Sequence, residues 1–128
     1  MHAMNREILF RGKCLDTREW VIGAYIPYLT GNPVILELDP TRANIVDPST
    51  VGQFTGISDS IGRKIFEDDV VSVNLLMGGS TEYTCIFKEG SFELRSIVEG
   101  CREVCDLRSI VNCGFDYKVV GNLHDLVQ

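Results

Sequence analysis

The sequence predicts a mainly β protein that contains a small antiparallel barrel. Apolar and polar residues alternate in 71–75 and again in 81–88, and a period of two is typical of half-buried strands. Glycine-containing turn signals at 77–80 and 89–90 separate the alternating segments. Three consecutive carboxylates at 67–69 form a further turn signal ahead of a β-branched segment. Short strands joined by tight turns favour a small antiparallel barrel.

Three strands and one helical turn are expected in the N-terminal part. The strands are predicted over residues 7–13, 20–28 and 34–38. Gly23 lies inside the second strand, where a glycine marks a bulge or a close backbone contact. Residues 39–44 predict one helical turn, because Asp39 suits the N-cap and Pro40 suits the first helical position. The chain then returns to extended backbone before Pro48.

The C-terminal part predicts further strands and one ambiguous segment. The strands are expected over residues 70–76, 81–88, 91–94 and 116–120. Gly56 follows an apolar segment at a point that needs a positive φ or a sharp bend. Apolar residues within 95–114 fall near helical spacing, although Gly100 would cost a helix about 1 kcal/mol relative to Ala. This segment predicts either an amphipathic helix or an irregular excursion.

Four motifs follow one another along the chain. The longest covers residues 51–71 and reads VGQFTGISDSIGRKIFEDDVV. The others are REILFRGK at 6–13, WVIG at 20–23 and YKVVGNL at 117–123. Together they resemble the YopX family, whose members are small proteins encoded by bacteriophages and prophages. Asp68 departs from the family pattern, in which Gly is usual, and so allows another type of turn at this position.

The resemblance implies an α+β, mainly β fold in two parts. An N-terminal α/β subdomain would cover residues 1–48, and a small SH3-like antiparallel barrel would cover residues 49–128, with both parts forming one compact unit. The resemblance also implies self-association into a homo-oligomer. It carries no particular activity, and it assigns no catalytic, cofactor-binding or metal-binding residue.

Composition and charge narrow the classes of function. With 128 residues, of which 45% are hydrophobic, one domain can bury a core without metal or disulfide staples. The net charge of −6 makes nucleic acid an unlikely partner, since such binding depends on Lys and Arg contacts to phosphate. A local basic cluster nevertheless includes Arg6, Arg11, Lys13 and Arg18. Because Arg11 and Lys13 share one face of a strand, we interpret them as a solvated face.

The cysteines indicate a reducing compartment. Their odd count of five argues against a disulfide framework, and no signal peptide or membrane-spanning run is recognisable. We therefore expect a location in the cytoplasm of a bacterial host, without a membrane partner. Cys101, Cys105 and Cys113 lack the paired spacing of a zinc site, so buried apolar roles are favoured. A nucleophilic cysteine needs a histidine partner, but His2 and His124 lie near the chain ends, and His124 is expected at the surface.

Carboxylates supply two further candidate sites. Glu67, Asp68 and Asp69 offer oxygen ligands for a hard divalent cation, but a solvated turn is the favoured interpretation. Glu37 and Asp39 would share a strand face as paired catalytic carboxylates. An exposed strand edge is the simpler interpretation of that pair.

Aromatic residues are candidates for a recognition surface. Phe10, Trp20, Tyr25 and Tyr28 have the size and polarity that such surfaces use. A core position is favoured for Phe10 and Trp20, and both positions stay open for the tyrosines. No hydrolase, nucleotide-binding or zinc-protease motif accompanies them.

These observations predict a non-enzymatic interaction protein without a cofactor, which self-associates and binds an unknown phage or host protein. One alternative is a nucleic-acid-binding accessory protein that acts through the barrel or through the strand carrying Arg6, Arg11 and Lys13. A further alternative is an enzyme with an unrecognised metal-dependent site at the acidic turn 67–69.

Overall fold

The computed structural model describes residues 7–27, 31–38, 40–75, 77–97 and 104–126. The chain divides into two compact units, Met1–Gly56 and Ile57–Gln128, which we call the first and the second unit. Antiparallel strands dominate both units, so the expectation of a mainly β fold is confirmed. None of the helices in these ranges has the length and apolar character that a membrane crossing requires.

The first unit is an antiparallel sheet. Its strands are β1 (Phe10–Lys13), β2 (Trp20–Ile26), β3 (Val34–Leu38), β4 (Thr41–Ile45) and β5 (Gly52–Ser58), the last of which continues into the second unit. Their order across the sheet is β4-β3-β2-β1-β5. In addition, Cys14 and Val46 form a single antiparallel bridge that links the end of β1 to the end of β4.

The helical turn predicted over 39–44 is wrong, because Thr41–Ile45 form a strand. This strand pairs with β3 along its whole length, and a ladder of backbone hydrogen bonds outweighs the weak capping preference of a short sequence. Asp39, the expected cap, lies outside the described residues. A capping aspartate occurs instead at Asp47, where a 3-10 helix (Pro48–Thr50) begins. The described part of the first unit thus contains no α-helix, and the α/β character expected for residues 1–48 is wrong there.

Close packing of β2 against β3 requires a glycine at position 23. A Cβ atom at this position would lie 2.1 Å from the carbonyl oxygen of Leu36, so the predicted close contact is confirmed. The buried apolar residues of this unit include Cys14, Ile35 and Val46. The absence of a side chain at Gly23 therefore allows β2 and β3 to approach each other closely at this point.

The second unit is a meander of strands followed by short helices. Its elements are β6 (Lys64–Phe66), β7 (Asp69–Asn74), β8 (Ser80–Lys88), β9 (Ser91–Ser96), β10 (Val104–Asp106), α1 (Leu107–Asn112), β11 (Tyr117–Asn122) and α2 (Leu123–Leu126). β6 pairs with β5, and the remaining strands form a sheet in the order β10-β9-β8-β7-β11. Within the described residues neither sheet closes on itself. The barrel predicted for this part of the chain therefore stays a prediction.

Apolar residues at alternate positions along the strands form the core of the second unit. Its buried members are Ile57, Ile65, Val71, Val73, Tyr83, Cys85, Leu94, Leu107, Ile110, Tyr117 and Val119. The face predicted for β8 is confirmed for Tyr83 and Cys85, whereas Phe87 on the same face is half exposed and contacts Phe92 edge-on. Burying each large apolar side chain contributes about 1.5–3 kcal/mol to stability.

The segment 95–114 is neither one helix nor wholly irregular. Its described part contains the end of β9, the strand β10 and the short helix α1. Val104 and Cys105, which fall near helical spacing in the sequence, instead pair with β9, because strand pairing satisfies their backbone groups. Residues 100 and 101 lie outside the described ranges.

One predicted turn and one predicted positive φ are confirmed by backbone geometry. Glu89 and Gly90 have φ angles of 51° and 86°, as the two central residues of a type I′ hairpin turn require. Gly56 has a φ of 85°, but it lies inside β5 rather than after a strand. β5 is not predicted from the sequence, because a positive φ in mid-strand interrupts the alternation on which such a prediction depends.

Candidate interaction surface

One face of the first sheet carries two cations over an aromatic ring. Strand pairing sets Arg11 opposite Ile22 and Lys13 opposite Trp20, so these four side chains share a face, which we call the outer face. The guanidinium carbon of Arg11 lies 4.3 Å from the Trp20 ring centroid, and Nζ of Lys13 lies 5.3 Å from it. Each such contact stabilises by about 0.5–1 kcal/mol at exposed sites.

This geometry corrects two interpretations of the sequence. Trp20 is only half buried, so the core position favoured for it is wrong. Arg11 and Lys13 lie over the indole ring of Trp20. The interpretation of these two residues as a merely solvated strand face is therefore incomplete. The other two basic residues of the cluster are not part of this arrangement: Arg18 pairs with Asp47 at 3.2 Å, and Arg6 lies outside the described residues.

Two of the remaining aromatic candidates lie on the opposite face of the sheet. Phe10 and Tyr25 are neighbours there, with ring centroids 5.1 Å apart, and both are half buried rather than core residues. Tyr28 lies outside the described residues. The aromatic side chains therefore do not form one continuous recognition surface.

Apolar side chains extend the outer face across three strands. Ile22 is 43% exposed, Leu38 is 70% exposed and Ile45 is 47% exposed. Ala24 pairs with Leu36, and this register carries Ile22 and Leu38 onto the same face. Exposed groups of large apolar side chains mark interaction sites more often than isolated ones do.

A groove lies beside β4. It has a volume of about 380 Å³ and is lined by Cys14, Leu15, Asp16, Asn32, Ala43, Asn44 and Ile45. The lining combines exposed apolar side chains with amide and carboxylate groups. Pockets that hold a ligand are commonly of this size and mixed character.

The acidic turn of the second unit is a hydrogen-bonded cluster. Asp69 is only 1% exposed. Its carboxylate accepts the Phe66 amide at 2.8 Å and the side-chain amide of Asn122 at 3.0 Å. The solvated turn favoured for this segment is therefore wrong for Asp69, because two hydrogen bonds compensate its burial.

Asp68 and His124 form a contact that the sequence did not reveal. Oδ2 of Asp68 lies 2.8 Å from Nε2 of His124, and both side chains are partly buried. Asp68 also has a φ of 70°, so this position keeps the left-handed backbone that a glycine would supply. The two residues are far apart in sequence, and hydrophobic periodicity carries no information about such a pair.

The carboxylates of this cluster act on the thiol of Cys85. Cys85 is completely buried. Burial raises the pKa of its thiol to about 12, and the negative charges of Asp69, Glu67 and Asp68 act in the same direction. A thiol in this state is not a nucleophile at neutral pH. Among the described residues, no three His, Cys, Asp or Glu side chains are arranged to hold a metal ion.

Asp59 holds the loop between β5 and β6 against β11. Its carboxylate accepts amide hydrogen bonds from Val119 at 2.9 Å, Arg63 at 2.7 Å and Ile61 at 3.1 Å. Burial by itself raises the pKa of Asp59, but these bonds and the charge of Arg63 outweigh it and lower the pKa below 3.8. Ser60 also exchanges hydrogen bonds with the backbone of β11. The loop thus covers the outer side of that strand.

The paired carboxylates and the cysteines considered in the sequence do not form a site among the described residues. β3 lies between β2 and β4, so Glu37 is not on a sheet edge, and it accepts a hydrogen bond from Asn44 at 3.0 Å. Asp39 lies outside the described residues, as do Cys101 and His2. Among the four described cysteines, Cys14 and Cys85 are buried, Cys105 is half buried and Cys113 is exposed.

A family model described as YopX protein matches residues 10–126, nearly the whole chain. No curated protein matches this chain. The matched range includes every strand of both units.

Proposed function

The chain belongs to the YopX family, and from this premise we propose that it is a non-enzymatic interaction protein of a bacteriophage or prophage that self-associates. The outer face of the first sheet carries this proposal. Ile22, Leu38 and Ile45 expose large parts of their side chains there, and covering each of them would contribute up to about 1.5–3 kcal/mol. A second copy of the chain can supply the same face, as two-fold symmetric interfaces do.

Two further parts of the proposal rest on other features. The sheet order β10-β9-β8-β7-β11, in which the last strand returns beside the first strand of a meander, supports an SH3-like barrel for the second unit. The free cysteines Cys14, Cys85 and Cys113 support a reducing cytoplasm as the location. An unidentified phage or host protein is a further partner.

Light scattering tests self-association directly. We expect a solution mass well above the 14.3 kDa of one chain. The change Ile22→Ser should lower that mass, because it removes an apolar contact from the outer face. Ile61→Ser is the matched control, since Ile61 is 62% exposed in the second unit, and it should leave the mass unchanged. A wild-type monomer at high micromolar concentration would contradict the proposal.

A nucleic-acid-binding accessory protein is the second candidate. The observation in its favour is the pair of cations over Trp20, since aromatic rings beside Lys and Arg bind single strands. Residues 1–56 contain five basic and six acidic residues, a net charge of −1, whereas residues 57–128 contain seven and twelve, a net charge of −5. Binding would therefore fall on the first unit.

A gel-shift titration separates the two candidates. If nucleic acid binds, single-stranded DNA or RNA should shift at low salt, and Trp20→Ala should abolish the shift. The affinity should also fall steeply as salt is added. Absence of a shift at low salt removes this candidate and leaves self-association untouched.

A further inference from the structure

We propose that the outer side of β4 binds an extended acidic segment of a partner protein as an additional strand. This site adjoins the outer face that we assign to self-association, and the two share Ile45 at the edge of the sheet. Three features of the first unit carry it: the direction of the β4 backbone groups, the groove beside them and the charge of Arg42.

The backbone of β4 presents hydrogen-bonding groups away from its sheet. β4 is the last strand of that sheet in the described residues. The amide of Val46 donates to the carbonyl just before β3 at 3.1 Å, and antiparallel pairing alternates, so the backbone groups of Asn44 and Arg42 also point toward β3. Those of Thr41 and Ala43 therefore point to the other side. This is the geometry in which an extended peptide adds to a sheet.

The chain itself begins such an added strand and does not continue it. The amide of Leu15 donates to the carbonyl of Ile45 at 3.0 Å, and Cys14 bridges to Val46. After Leu15 the chain turns away, and the groove of about 380 Å³ lies beside Ala43. A guest strand in this groove extends the hydrogen-bond ladder that Leu15 begins.

Arg42 sets the charge of the guest residue that lies opposite it on the edge of the sheet, whereas the groove itself is lined by one charged residue, Asp16. It is exposed and makes no ion pair within the described ranges. Glu37, directly opposite on β3, accepts a hydrogen bond from Asn44 instead. Cross-strand partners share a face, so an Asp or Glu of the guest opposite Arg42 forms the missing pair. The residues on either side of it lie on the face of Thr41 and Ala43, where small apolar side chains fit.

A second copy of β4 is a poorer guest. The backbone carbonyl of Ile45, which a guest strand would need, already accepts a hydrogen bond from Leu15. Two antiparallel β4 strands could therefore pair only with Arg42 of one copy opposite Arg42 of the other. The Arg42 side chains of the two copies would then lie directly opposite each other. Like charges in that position destabilise the pairing.

Peptide binding to the full chain tests the proposal. The probes are two fluorescein-labelled peptides with blocked ends, Ser-Val-Glu-Val-Ser and Ser-Val-Lys-Val-Ser, followed by fluorescence anisotropy at low salt. We expect the acidic peptide to bind about fivefold to tenfold more tightly, from the difference between attractive and repulsive cross-strand pairs. Equal affinities, or no binding of either peptide at millimolar protein, overturn the proposal.

Two variants locate the site. Ala43→Pro removes an outward amide, and proline is tolerated on an edge strand when its nitrogen faces solvent, so binding should be lost while the circular dichroism spectrum is kept. Arg42→Glu tests the charge without a backbone change, and it should reverse the preference toward the lysine peptide. Ile22→Ser, on the outer face, should keep the acidic preference.

The remaining outcomes decide against the proposal. An acidic preference that survives Arg42→Glu shows that the peptide binds elsewhere. If neither peptide binds and Ala43→Pro lowers the mass measured by light scattering, a second copy occupies β4 and the peptide proposal is wrong. That result would leave self-association intact, so the two proposals fail independently.

Discussion

Two aspartates of the second unit stabilise turns through different contacts. Asp59 is buried and receives three backbone amides, so its charge is solvated by the protein in place of water. Asp68 is partly exposed, adopts a positive φ and reaches the side chain of His124. The carboxylate of Asp59 is thus held by main-chain donors. The carboxylate of Asp68 is held by the side chain of His124, and its backbone adopts an unfavourable positive φ.

Replacing Asp59 with Asn should destabilise the second unit by about 2 kcal/mol, since hydrogen bonds to a charged acceptor are replaced by weaker neutral ones. The folded pKa of Asp59 is lowered from 3.8. Its contribution is therefore complete above about pH 4 and is lost as the pH falls through the folded value. Urea denaturation from pH 7 to pH 2 measures this. The acid-dependent loss should be smaller in the Asn variant, and equal acid slopes would refute the assignment.

At position 68, glycine should be more stable than alanine by about 1 kcal/mol. Both variants lose the contact to His124, but only glycine adopts a positive φ without steric cost. Chemical denaturation of Asp68→Gly and Asp68→Ala measures the difference. As a control, His124→Ala should destabilise the wild type slightly and leave Asp68→Gly unaffected, because the partner is already absent. Identical midpoints for the two position-68 variants would count against backbone strain.

Among the elements, local pattern predicted strands from two different signals. β8 was predicted from clear alternation bordered by turns, whereas β3 was predicted from a short apolar run, in which the consecutive Val34 and Ile35 are both buried. β4 was misread because Asp39 and Pro40 resemble a helix start, whereas pairing with β3 decides the outcome. β10 and the contact between Asp68 and His124 could not be predicted, since each depends on residues brought together by the rest of the fold.

Gly23→Ala should destabilise the first unit by about 3 kcal/mol or more, because the added Cβ would meet the carbonyl oxygen of Leu36 and neither backbone segment can move freely. Thermal unfolding followed by circular dichroism measures the loss. Gly121→Ala is the matched control: a Cβ at Gly121, also within a strand, has nothing within 4 Å. It should change stability by less than about 0.5 kcal/mol. Comparable losses in both variants would contradict the close contact.

At the scale of the whole molecule, charge and thiol chemistry are unevenly distributed. The acidic excess belongs almost entirely to residues 57–128, which hold twelve acidic and seven basic residues. Cys113 is exposed while Cys85 is buried beneath three carboxylates that oppose its ionisation. The chain therefore combines an accessible thiol with an inaccessible one in the same unit.

Alkylation by iodoacetamide should follow that distribution. At pH 8 we expect Cys113 to be modified first and Cys85 only when the chain unfolds, because Cys85 lacks both access and thiolate character. Peptide mass spectrometry after timed quenching measures the two rates. In concentrated urea both should react at similar rates, and rapid native labelling of Cys85 would refute its burial.

β11 is shielded on its free side by a short loop that Asp59 and Ser60 hold in place through hydrogen bonds. When Asp59 takes up a proton, its hydrogen bond to Val119 weakens and the backbone of β11 becomes more accessible to pairing with a neighbouring chain. We therefore expect acid to seed fibrils of this protein at a pH where most of its native structure is still present, and Asp59→Asn to do the same at neutral pH.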